Sequence, residues 1–116
     1  MCARTEAMRP MRDLLSRLPQ LPLTGDHELD LKGADPALLV AIADDAETTM
    51  QVLHHGVGAI GNLLAHSAVV IEDGTIGADS IESLGHLMAE LSDLAAGCMT
   101  LATRCRRETY DYQPTG

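Results

Sequence analysis

TTMQVLHHGVGAIGNLLAHSAVVI, residues 48–71, carries no formal charge in a chain of 116 residues whose net charge is −9. Its apolar residues recur at three- and four-residue spacing, the period of a helix face. Three glycines, Gly56, Gly58 and Gly61, fall inside it. An uncharged helix of small residues has little reason to face water. The run is therefore expected to pack on most sides, against its own chain and against a second copy.

Upstream, Asp35-Pro36 opens the helix to which this run belongs. Aspartate is a good N-cap, and proline at the next position gives up an N–H that has no helical partner there. A heptad register follows, with one seam at Ala43, Met50, Val57, Leu64 and Ile71 and the other at Leu39, Ala46, Leu53, Ile60 and Ser67. Each glycine costs roughly 1 kcal/mol relative to alanine inside a helix, so three in six residues could bend or break it. The heptad phase is the same on both sides of them, and the expectation is a continuous helix.

Downstream, EDGTIGA (residues 72–78) has the composition of a turn. A small hairpin between residues 68–71 and Thr75-Ile76 is the alternative there. Asp79 is expected to cap a second long helix, with Glu82 three residues on completing a capping-box pair. Its seams are Ile81, Met88, Ala95, Ala102 and Leu84, Leu91, Cys98, Cys105, widened by Leu87, Leu94 and Leu101. A stripe three positions wide suits a bundle rather than a two-stranded coil. Arg104, Arg106 and Arg107 fall in the last turns, where the helix dipole favours positive charge.

Residues 4–18 form the pattern of a short helix with Met8, Met11, Leu15 and Leu18 on one face, ended by Pro19 and Pro22. The connector from Gln20 to Ala34 is expected to lay Leu21, Leu23, Leu29 and Leu31 across the bundle; HELDL could equally make a short strand. The fold class is therefore all-α. A short N-terminal helix and connector (1–34) precede a long antiparallel helical hairpin (35–109) and a flexible tail (110–116). With no Phe or Trp and only Tyr110 and Tyr112, a single copy gains little buried area per residue, and pairing into a dimeric helical bundle is the usual remedy in so short a chain. The expected dimer interface is Val57, Gly58, Gly61, Leu87, Leu94 and Leu101.

Charge is placed unevenly. Between residues 21 and 100 stand thirteen acids and a single base, Lys32, whereas residues 1–20 hold four arginines against two acids. Such a field repels nucleic-acid phosphates and attracts a basic protein. The expected partner-binding face is Asp44, Asp45 and Glu47 on the first long helix and Glu82, Glu90 and Asp93 on the second. Direct nucleic-acid binding is not expected. A membrane span is not expected either, because the uncharged run also holds Gln51, His54, His55, Asn62, His66 and Ser67, which would need partners in lipid.

Chemistry is harder to place. His54 and His55 are adjacent and diverge by about 100° on a helix. His86 has Glu82 and Glu90 at i−4 and i+4, but those acids are more simply a solvated face. Cys2, Cys98 and Cys105 show no CxxC spacing, and Cys98 lies in an apolar stripe that disfavours a thiolate. GVGAIG follows a helical run and not a strand, so it is no phosphate-cradling loop. The expectation is a non-catalytic cytoplasmic protein without metal or cofactor, whose cysteines are thiols.

The segment SIESLGHLMAELSDLAAGCMTLATRCRR (residues 80–107) resembles the second helix of small accessory proteins from phages, prophages and integrated elements of GC-rich proteobacteria. The resemblance spans roughly Thr48 to Arg107 and consists of a helix–turn–helix pattern of Leu, Ala and Gly. It implies a small helical regulator or adaptor that works by protein–protein contact. Some proteins of that kind inhibit host defence, anti-CRISPR proteins among them, and several act through acidic faces. No functional residue carries over.

Overall fold

The apolar spacing becomes two long helices laid side by side. The computed structural model describes residues 9–113. These form α1 (Pro10–Arg17), a 3-10 turn (Leu18–Gln20), α2 (Pro36–Ala65), α3 (Ala68–Glu72) and α4 (Ala78–Glu108). Arg106 meets Glu47, Ala95 lies beside His54, and Leu91 lies beside Val57. As α2 advances, α4 runs back, so the two form an antiparallel hairpin. Helix α1 packs on α2.

Helix α2 begins as the sequence requires. Asp35 accepts a hydrogen bond from the Ala37 N–H at 3.1 Å, and Pro36 occupies the first helical position. The helix continues unbroken through all three glycines. It ends at Ala65, earlier than the heptad register implies, so Ser67 and Ile71 do not extend its seams. The cause is local. Ser67 Oγ donates to the Leu63 carbonyl at 2.6 Å, and His66 Nδ1 lies 2.9 Å from the Asn62 carbonyl. Side chains that engage the last carbonyls compete with the helical ladder. Residues 68–72 then form α3, not a hairpin strand, and Gly74 turns the chain with φ +84°.

Two further expectations change. Helix α4 starts at Ala78 with Gly77 at the N-cap and no side-chain cap bond, so Asp79 is not the cap but an acid in the first turn. It still faces the positive end of the helix dipole. Helix α1 starts at Pro10, not at residue 4: Arg9 is non-helical, as the residue before a proline tends to be. Residues 4–8 lie outside the described residues, as do Cys2 and residues 114–116. On α1 it is Leu14 that is buried, while Met11 and Leu15 are exposed.

In the connector, Leu21 and Leu31 are buried and Leu23 and Leu29 point outward. The last two face each other across an isolated antiparallel bridge, the one extended pairing among the described residues. Thr24 closes the intervening loop: its Oγ1 accepts from the Asp26 and Glu28 N–H groups. Beyond α4, the Tyr112 N–H donates to the Thr109 carbonyl and Tyr110 is exposed.

The core is gathered at one end. Leu14, Leu21, Leu31 and Ala34 close over Leu39, Ile42, Ala43 and Ala46 of α2 and Cys98, Ala102 and Cys105 of α4. Between Leu53 and Cys98 no residue is fully buried. The molecule is a three-layered base carrying a two-helix arm.

Candidate interaction surface

Helical geometry assigns the hairpin two flanks. Successive residues turn about 100°, so positions seven, eleven or eighteen apart lie on nearly the same side. On α2, Asp45, Val52, Gly56 and Leu63 share one flank, and Glu47, His54, Gly58 and Ala65 share the other. Arg17 of α1 pairs with Asp45, so α1 covers the first flank at the base. Arg106 of α4 pairs with Glu47 at 2.7 Å and Asp44 at 2.6 Å, which marks the second.

Helix α4 divides in the same way. Ala96 and Met99 line a groove of about 400 Å³ with Met50, Gln51, His54 and His55, on the Arg106 flank. Leu94 stands five residues before Met99 and Leu101 five before Arg106, each about 140° away around the axis. Leu87, Leu94 and Leu101 therefore lie on the flank that α1 covers. Leu101 packs against the core beneath it, whereas Leu87 and Leu94 remain 49% and 48% exposed.

The six expected interface residues are thus not one patch. Val57 is half-buried between the helices. Gly58 lies with Glu47 and His54 on the Arg106 flank, and Gly61 lies close to them. Leu87, Leu94 and Leu101 lie opposite. A Cβ added at Gly56, Gly58 or Gly61 would meet nothing within 4 Å, so none of the three serves close packing within a single chain. Val52 and Leu63, 47% and 69% exposed, were not singled out from the sequence because they fall outside the heptad seams. The signal was available: Val52, Gly56, Ala59 and Leu63 recur at i, i+4, i+7 and i+11.

The six acids divide as well. Asp44 and Glu47 engage Arg106, and Asp45 engages Arg17. The Arg106 guanidinium is held firmly in its charged form, first by its two hydrogen bonds to Glu47, then by the one to Asp44. Among the described residues, Glu82, Glu90 and Asp93 make no salt bridge. They stand on exposed positions of the arm.

Cys98 and Cys105 are buried free thiols, and burial pushes both above the ordinary thiol range, with Arg104 and Arg106 opposing it in part at Cys105. No trio of His, Cys, Asp and Glu able to hold a metal occurs among the described residues. Among the same residues no helix is long and apolar enough to cross a membrane. No family model matches the chain, and neither does any curated protein or solved structure.

Proposed function

We propose that the chain is a non-catalytic protein-interaction module, a small dimeric regulator or adaptor of phage or mobile-element origin working in the cytoplasm. One observation carries this reading: among the described residues no third layer packs on half of the hairpin, and exposed leucines and valines stand along it. An apolar surface of that extent is the ordinary mark of a protein–protein contact. Burial makes the Cys98 and Cys105 thiols poor nucleophiles.

A second reading is favoured by Glu82, Glu90 and Asp93. Three acids on one helix that make no salt bridge among the described residues suit a basic groove, as in an inhibitor of a host-defence nuclease or effector of the anti-CRISPR kind. Asp44, Asp45 and Glu47 contribute less to such a face, because two arginines already neutralise them in part. Affinity capture from a host lysate distinguishes the readings. A nuclease or effector subunit, captured by the native protein and lost with Glu82→Gln/Glu90→Gln/Asp93→Asn, supports inhibition. Capture that is insensitive to those changes and to salt supports an apolar adaptor. Turnover of a substrate by the purified protein would overturn both.

A further inference from the structure

We infer that Met50, His54 and Met99 form a binding site for a soft monovalent metal ion, Cu(I), where the base of the hairpin passes into the arm. Such a site is independent of the interaction-module reading. Imidazoles, carboxylates and thiols by themselves make no metal site among the described residues. Methionine adds a donor of another kind. Its thioether is uncharged and polarisable, and thioethers select Cu(I) over harder ions, while imidazole accepts copper as well.

Helix geometry brings the three donors together. Met50 and His54 are four residues apart on α2, so their Cβ atoms lie about 5–6 Å apart on one face. Across the hairpin, Arg106 of α4 meets Glu47 of α2, and Ala95 lies beside His54. Met99 stands between Arg106 and Ala95 as Met50 stands between Glu47 and His54, which sets the two methionines opposite each other. All three donors line the groove of about 400 Å³, whose α4 wall is otherwise Ala95 and Ala96. Those small side chains leave room for the sulfurs, and a methionine has three rotatable bonds with which to aim one. Met50 packs on the core from one side, Met99 is 52% exposed and His54 is exposed. His55 adds a second imidazole at the rim, its ring centroid 6.2 Å from that of His54.

Charge and softness act separately here. A chain of net charge −9 draws cations of every kind. Mg²⁺ and Ca²⁺ seek sets of carboxylate and carbonyl oxygens, and the lining of this groove holds no carboxylate. An ion held by Met50 and His54 of α2 and by Met99 of α4 ties the two helices together beside Cys98, near the point where full burial ends. It stabilises the hairpin, because only the folded chain brings the three donors to one place.

Ag(I), a diamagnetic stand-in for Cu(I), tests this in chloride-free buffer. One equivalent added to the native chain carrying methyl-labelled methionine should shift the Met50 and Met99 methyl resonances, leave that of Met11 unmoved and raise the melting temperature. Met50→Leu and Met99→Leu conserve volume, and His54→Gln alters an exposed residue, so circular dichroism should not change. Each should weaken Ag(I) binding by at least the ~10-fold that loss of a supporting contact to a metal ligand costs. Anaerobic Cu(I), held in competition with a chromophoric chelator, should follow the same order across the variants. Ag(I) affinity that is unchanged in all three variants and lost in Cys98→Ala puts the ion on the thiol and overturns the site. Met50 and Met99 methyls that stay unmoved at one equivalent of Ag(I) overturn it too. Zn(II) that shifts the same methyls at one equivalent overturns the assignment to a soft ion.

Discussion

The base and the arm are built from the same two helices and the same residue types, yet they differ in what lies against them. At the base, α2 and α4 present Ile42, Ala43, Ala46, Ala102 and Cys105 to each other and to α1, and each is nearly or wholly buried. In the arm, Val57, Ile60, Leu84 and Leu91 occupy equivalent inward positions and reach only partial burial. One helix cannot cover another by itself, because each has an apolar stripe wider than a single neighbour can shield. A third element makes a core; without one, the same periodicity makes a surface.

The sharpest way to break this comparison is a buried charge. Ile42→Asp places an unpaired carboxylate at a fully buried base position, and a loss of about 3–5 kcal/mol is expected, seen as collapse of the circular dichroism melt. Unchanged melting would mean that the base is no more a core than the arm.

A gentler change sharpens the contrast between flanks. Gly61→Ala adds a methyl group into open space on the Arg106 flank, so helix propensity alone should raise stability by roughly 1 kcal/mol with the oligomer unchanged. A lowered melting temperature, or a change of oligomer, would place a close helix contact on the glycine flank.

The smallest effect concerns the thiols of the base. Burial raises the folded-state pKa of Cys98 and Cys105 above the ordinary value of 9.0. Their contribution is fully present below that value. As pH rises from the unfolded towards the folded pKa the unfolded chain releases protons that the folded chain retains, so stability falls. Melts should be flat from pH 7 to about 8.5 and decline slightly above it, and replacing both cysteines by alanine should remove the pH-dependent part of that decline.

Much of this architecture was legible in the sequence because its causes are local. A 3.6-residue repeat, Asp35 before Pro36 and the turn composition of residues 72–78 act over a few neighbours, and α2 and α4 follow from them. Burial of Cys98 followed from the apolar run around it. Even the corrections have local causes: the early end of α2 lies in side chains bonding to carbonyls four residues back, a competition that apolar periodicity does not register.

What tertiary structure alone decided is which side of each helix has a neighbour. Asp45 meets Arg17 across 28 residues of sequence, and Glu47 and Asp44 meet Arg106 across 59 and 62. No local pattern fixes such pairs, because they depend on how α2 and α4 align and where α1 settles. The same alignment separates Gly58 and Gly61 from Leu87 and Leu94, all four of them members of the expected dimer interface. Periodicity says that a face is apolar. Only packing of the whole chain says whether that face has been covered, since cover is a long-range contact and the helix period is not.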